Sequence, residues 1–184
     1  MLRVSKFKVL SGAACIAALL LFGFGTQQIS PKLQAKIDQA VQTTYEVSDF
    51  DLEHISVGSE LNGQTPSELG GENLFKIIVE GSILGYVYVG QAPSMKNIFD
   101  YVVLFNPDRS IKKSKILIYR EDYGRQVGSQ RWLKQFIGKK SGESLVYGED
   151  IDAISGATIS AKSMTLAVGQ VLESMQILDE NQVF

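Results

Sequence analysis

"FKIIVEGSILGYVYVGQ", residues 75–91, decides the fold. Its two halves, Phe75–Gly81 and Ile83–Gln91, are short β-branched and aromatic runs, and the Gly81-Ser82 pair between them reads as a tight hairpin turn. Moving outward, "FDYVVLF" (99–105) sets Tyr101, Val103 and Phe105 against Val102 and Leu104. Asn106-Pro107-Asp108-Arg109 then turns the chain into "IKKSKILIYRE" (111–121), with Ile116 and Ile118 expected on one face and Leu117 and Tyr119 on the other. Two consecutive hairpins predict an antiparallel sheet of about four strands rather than a βαβ series. The basic triplet Lys112, Lys113 and Lys115 reads as a solvated strand end.

Helices flank these strands. Ser30-Pro31 is a helix entry, a hydroxyl at the N-cap followed by proline at the first helical position. Leu33, Ile37 and Val41 continue it at helical spacing, and residues 56–73 follow as a polar loop rich in Gly, Ser and Asn. Near the other end, "SQRWLKQFIGK" (129–139) reads as a short helix. Ser129 is placed to cap it, Trp132, Leu133 and Phe136 to face inward, and Gly138 to end it. Ala161, Met164, Val168, Val171, Leu172 and Met175 recur every three or four residues, so a last helix starting near Ser160 buries one face. The expectation is an α+β domain, its antiparallel sheet packed with helices. The chain divides into residues 1–29, a helix and polar loop over 30–72, and the main domain over 73–184.

Composition bounds the function. The 184 residues are 45% hydrophobic and 21% charged with a net charge of −2, which gives no electrostatic reason to expect nucleic acid as a partner. One Cys and one His exclude an intrachain disulfide, a Cys/His zinc site and a C-x-x-C-H haem attachment. A Ser-His-Asp triad would need His54, and no nucleophile signature surrounds it.

The N-terminus carries Arg3, Lys6 and Lys8 ahead of Val9–Gly25, 17 residues without a charge. That length suits a membrane span and slightly exceeds a signal-peptide core. The basic flank places the N-terminus in the cytoplasm and the rest on the extracytoplasmic (periplasmic) side. A retained single-span anchor is the preferred reading, and cleavage after Gly23-Phe24-Gly25 the competing one. Cys15, preceded by Gly12-Ala13-Ala14 and followed by more apolar residues, reads as part of the span rather than a lipoprotein cysteine.

"DAISGATISAKSM" (152–164) leads into the last helix. It places Ser155, Thr158 and Ser160 among Gly156 and Ala157, where unpaired backbone N–H groups make a ready anion site. Lys162 is positioned to add charge. A plain helix cap by Ser or Thr is the competing reading. The run is no Walker A loop, lacking G-x-x-x-x-G-K-[ST].

Asp152-Ala153-Ile154-Ser155-Gly156-Ala157-Thr158-Ile159-Ser160 resembles the D-x-x-[ST]-G-A-T-x-[ST] signature of FMN-binding domains. These domains occur within the sodium-translocating NADH:quinone reductase, within the Rnf complex and in stand-alone exported flavoproteins. The resemblance implies a covalent FMN, joined through its phosphate to the hydroxyl of Thr158 by a FAD:protein FMN transferase. It implies a cofactor site of Thr158, Ser155, Gly156, Ala157, Ile159 and Asp152, joined by Glu121 and Gly124 after the last strand. Where the members built into those complexes carry Glu-Thr and a Gly-rich turn, this chain has Glu121-Asp122-Tyr123-Gly124, so the likeness is to the stand-alone, single-anchor members. The flavin ring is expected between the motif loop and the Glu121–Gly124 turn, with Tyr123 or Met95 over a face. The function implied is electron transfer between an unidentified donor and acceptor. An exported non-redox binding module, its motif serving only as a cap, and a component of an ion-translocating redox complex are the alternatives.

Overall fold

The computed structural model describes residues 29–184. The anchor or signal segment expected over residues 1–29 lies outside the described residues except for Ile29. Among the described residues no helix is long and apolar enough to cross a membrane.

Helix α1 (Pro31–Tyr45) starts as its sequence predicts. The Ser30 hydroxyl accepts the Leu33 N–H at 3.3 Å and proline opens the first turn. Then come strand β1 (Asp51–His54), a single helical turn α2 (Ser59–Asn62), and β2 (Leu74–Val79), β3 (Ser82–Pro93), β4 (Ile98–Phe105) and β5 (Ile111–Ile118). Helix α3 (Gln130–Leu133) and the long helix α4 (Thr158–Glu180) complete the order. The sheet is an antiparallel meander, β1-β2-β3-β4-β5.

That makes five strands where about four were expected. The added β1 has Leu52 as its one apolar residue, so it carries no period-two signal. It is an edge strand held by its ladder to β2 and by side chains such as Glu53, which meets Lys76 at 3.4 Å. The first hairpin turn also shifts by a residue. The loop is Glu80-Gly81, both at positive φ (49° and 76°), and Ser82 pairs with Val79 as part of β3. Two positive φ values in a two-residue loop match the right-handed twist of the strands.

Both faces of the sheet are buried. Tyr86, Tyr88, Phe99, Tyr101, Val103 and Phe105 pack under Met164, Val168, Val171, Leu172 and Met175 of α4. Val87, Val89, Val102 and Leu104 pack under Ile37, Ala40 and Val41 of α1. Each apolar side chain buried this fully is worth roughly 1.5–3 kcal/mol, so helices on two sides give the short sheet two cores. Helix α3 ends in a 3₁₀ turn (Lys134–Phe136), and Gly138 at φ 82° turns the chain away. Trp132, Leu133 and Phe136 are buried as expected, but the Ser129 side chain makes no capping bond.

Strand β5 departs from simple alternation. A bulge opposite Asp100/Tyr101 pairs Tyr101 with Ile116 and Asp100 with Ile118, leaving Leu117 as the extra residue. Ile116 and Tyr119 therefore share the α4 side, and Leu117 packs with the α1 side. That extra residue aims Tyr119 at the start of α4.

Candidate functional site

Helix α4 begins at Thr158, with Ala157 as its N-cap. Its first intrahelical bond is Ala161 N–H to Ala157 O at 2.9 Å, so the amides of Thr158, Ile159 and Ser160 come before the ladder. No side chain caps this end. Ser155 and Thr158 are exposed, and Ser160 is buried and engaged elsewhere. The plain-cap reading of the loop thus loses its capping residue. The 23-residue helix presents an unprotected positive dipole end beside an exposed threonine hydroxyl.

The loop ahead of it is held from several directions. The Trp132 indole N–H donates to the Asp152 carbonyl at 2.8 Å, and the Asp152 N–H donates to Gln135 Oε1 at 2.8 Å. Trp132 is therefore both a core residue, edge-on to Phe136 at 5.4 Å, and a brace for the loop. Asp152 is fixed through its backbone, while its carboxylate has no partner among the described residues. The Ile154 N–H donates to the Tyr147 hydroxyl at 3.2 Å, and Lys162 stacks its ammonium over that ring at 5.8 Å. Gly156 takes φ 75°, which Gly tolerates without a Cβ penalty.

The turn after β5 meets the loop at Gly124. At φ 79°, a Cβ on Gly124 would stand 2.8 Å from the Tyr119 hydroxyl, 3.3 Å from Gly156 O and 3.6 Å from Ala157 Cα. Turn and loop touch there, so that contact leaves no room for a ring between them. Gln126 also approaches Gly156, its amide nitrogen 3.5 Å from where a Cβ would lie. Beside the contact, Tyr119 Oη and Ser160 Oγ share a hydrogen bond at 2.9 Å, tying the bulged end of β5 to the first turn of α4.

Glu121 is engaged by the turn between β3 and β4. Its Oε1 accepts from the Ser94 hydroxyl (2.7 Å) and from the N–H groups of Lys96 (2.6 Å) and Asn97 (2.8 Å). The carboxylate thus clamps the β3–β4 turn. The Lys96 amide, then Ser94 and the Asn97 amide, hold its pKa down at about 2. Tyr123 and Met95, the two candidates to cover a ring, are 86% and 70% exposed, and Ile159 beside Thr158 is 52% exposed. Tyr123 lies on the turn that meets the motif and Ile159 in the motif itself, both free to lie along an aromatic ligand, while Met95 lies on the β3–β4 turn.

Sequence reasoning missed Tyr119, Gln126, Ser94 and Asn97. Tyr119 looked like an ordinary strand residue, because the bulge that redirects it leaves no local signal. The residues present fit a flavin mononucleotide: an exposed hydroxyl and open amides for the phosphate, Gly and Ala for close approach, and exposed apolar groups for the ring.

The two-sided α+β sheet presents an exposed threonine at an open helix start. Residues 96–173, from the β3–β4 turn to within α4, match the family model of the FMN-binding domain. The fold is similar to the crystal structure of NqrC from Shewanella oneidensis, with a TM-score of 0.56 at 16% sequence identity, over 82% of this chain and 97% of that chain. Among curated proteins none matches the sequence.

Proposed function

We propose that this chain is an exported, membrane-tethered flavoprotein that carries FMN covalently on Thr158 and passes electrons between a donor and an acceptor outside the cytoplasm. The observation that carries the reading is the placement of Thr158. It is the exposed first residue of a 23-residue helix, with Gly156 and Ala157 before it and no capping side chain over it. A phosphodiester there keeps one negative charge, which the open amides and the helix dipole stabilise.

Among the described residues no histidine lies beside the threonine to activate it. The single His, His54, lies on the edge strand β1 and meets Gly71 O at 3.1 Å, away from the motif. A separate FAD:protein FMN transferase supplies the activation. The bond forms between Thr158 Oγ and the FMN phosphorus of FAD, the pyrophosphate linkage breaks, and AMP leaves as the threonine proton is released. When bound, the flavin supplies one- and two-electron transfer. The protein's part is to orient the ring, shield it and set the charge around it. Gly124 and Gly156 bring the turn and loop together, Tyr119 and Ser160 lock them, and Tyr123 and Ile159 stand beside the threonine that would carry the flavin. The uncharged Val9–Gly25 segment supports the tether, and a covalent bond suits a compartment in which lost FMN is not replaced. This makes the chain an electron-transfer component rather than a stand-alone enzyme.

The test is the intact mass and in-gel fluorescence of the full chain made with and without the transferase. A gain equal to one FMN, mapped to Thr158 and dependent on the transferase, supports the reading. A mass without added nucleotide, or an adduct on another residue, refutes it.

A further inference from the structure

We infer that the β3–β4 turn rests on the lipid surface, so that the end of the sheet bearing Thr158 is held at the membrane plane. The inference rests on the tethered reading above. Helix α1 starts at the same end of the sheet as that turn: Ile29, Ser30 and Leu33 line one cleft with Gln91, Asp100, Ile118 and Arg120. Arg120 joins the cleft to the turn, its guanidinium paired with Asp100 and donating to Ile98 O at 2.9 Å. Helix α4 starts there too, through the bond between Ser160 and Tyr119. At its other end α1 reaches the far end of β4, where the Tyr45 hydroxyl donates to Phe105 O at 2.7 Å.

The tether is short. Only Thr26, Gln27 and Gln28 separate the uncharged run ending at Gly25 from Ile29, a reach of about 14 Å when fully extended. With Val9–Gly25 in the bilayer, the α1 start and the turn beside it stay close to the headgroups.

The turn has the chemistry for that position. Met95 is 70% exposed and Ile98 45%, and Pro93, which pairs with Ile98, is exposed as well. Ile98 stands on the α1 side, on the same strand face as Asp100 and Val102. Lys96 stands on the tip itself and is exposed, while Arg120 beside it is paired with Asp100 and Glu121 sets a carboxylate against the turn. No ion pair among the described residues engages Lys32 or Lys96. Exposed apolar side chains at a rigid tip match the acyl boundary beneath the headgroups. Glu121 keeps the tip rigid by clamping its Ser94–Asn97 backbone. Thr158 lies across the sheet on the α4 side, so the flavin is held beside the membrane without being pressed into it.

The experiment uses the full chain, flavinylated, in vesicles of phosphatidylcholine and phosphatidylglycerol with bromine on the upper acyl chain. An environment-sensitive fluorophore is attached at Met95→Cys, Ile98→Cys or, at the opposite end, Glu180→Cys, each with Cys15→Ser. Emission at 95 and 98 quenched by brominated lipid, with none at 180, is the expected result. Protein that floats with the vesicles yet shows equal emission at all three positions overturns the inference and leaves the tether standing. Protein that does not float removes the tether and the inference together. Shielding of 95 and 98 that needs a co-reconstituted membrane protein, without lipid quenching, assigns the tip to a protein partner and overturns the lipid assignment.

Discussion

Gly124→Ala tests the contact on which the cofactor site is built. Gly124 sits at φ 79°, where an L-residue costs about 1–2 kcal/mol. The new Cβ would also lie 2.8 Å from the Tyr119 hydroxyl, pushing it off Ser160 and losing a bond worth about 1 kcal/mol. The substitution should therefore destabilise the protein by about 2–3 kcal/mol. Tyr119→Phe alone should cost about 1 kcal/mol, since it strands the Ser160 hydroxyl in a buried position. With both changes the hydroxyl that opposes the methyl is gone, so Gly124→Ala then adds only the backbone cost. Urea unfolding of the four proteins should give a coupling of about 1 kcal/mol, with constant denaturant slopes. Strict additivity, or a neutral Gly124→Ala, would refute the close approach of turn and loop. Covalent flavin should fall in the same order as stability, because the loop that presents Thr158 is braced there.

Thr158→Val should abolish flavin fluorescence in denatured protein and, at an exposed site, change stability by less than about 0.5 kcal/mol; fluorescence that persists would mean attachment elsewhere. Glu121→Gln should leave the bond to Thr158 intact while loosening the Ser94–Asn97 turn, read as faster amide exchange at Lys96 and Asn97. The Glu121 carboxyl has a folded pKa of about 2 against an ordinary 4.5, so the unfolded chain takes up its proton first. Its contribution is complete above about pH 4.5 and is lost as pH falls toward 2, and acid unfolding scans should show this loss in the native protein but not in the Gln variant. Gly85→Ala should destabilise by about 1–3 kcal/mol, because a Cβ there meets the Phe105 carbonyl and the Tyr45 hydroxyl. A melting temperature equal to the parent's would show that α1 does not close against β3.

Much of this was legible because local chemistry and global packing agree. The paired hairpins, the Ser30-Pro31 helix start and the inward stripe of α4 all follow from period and cap signals, with only the first hairpin turn displaced by a residue. The small residues and the threonine that open α4 were legible as a string, since they are contiguous. What failed needed partners far away in the chain. Strand β1 exists because β2 offers it a ladder, not because DLEH has strand character. The β5 bulge is set by pairing with β4, and with it the direction of Tyr119. Glu121 reads as a cofactor residue from its neighbours in sequence, and the sequence did not show that one of its carboxylate oxygens is engaged by a turn some 25 residues earlier. The start of α4 was placed two residues late because Ser160 looks like a cap, whereas its hydroxyl is spent on Tyr119.

The burial of the sheet on both sides has a consequence for how the protein opens. Strand β4 has a neighbour on each edge and a helix over each face, so its amides exchange with solvent only when the whole domain unfolds. Strand β1 has one neighbour and mostly exposed side chains, so it frays first. The breathing edge is thus separated by three strands from β5, whose end is tied to the start of α4, and the domain can lose its outermost strand for an instant without disturbing the loop that presents Thr158.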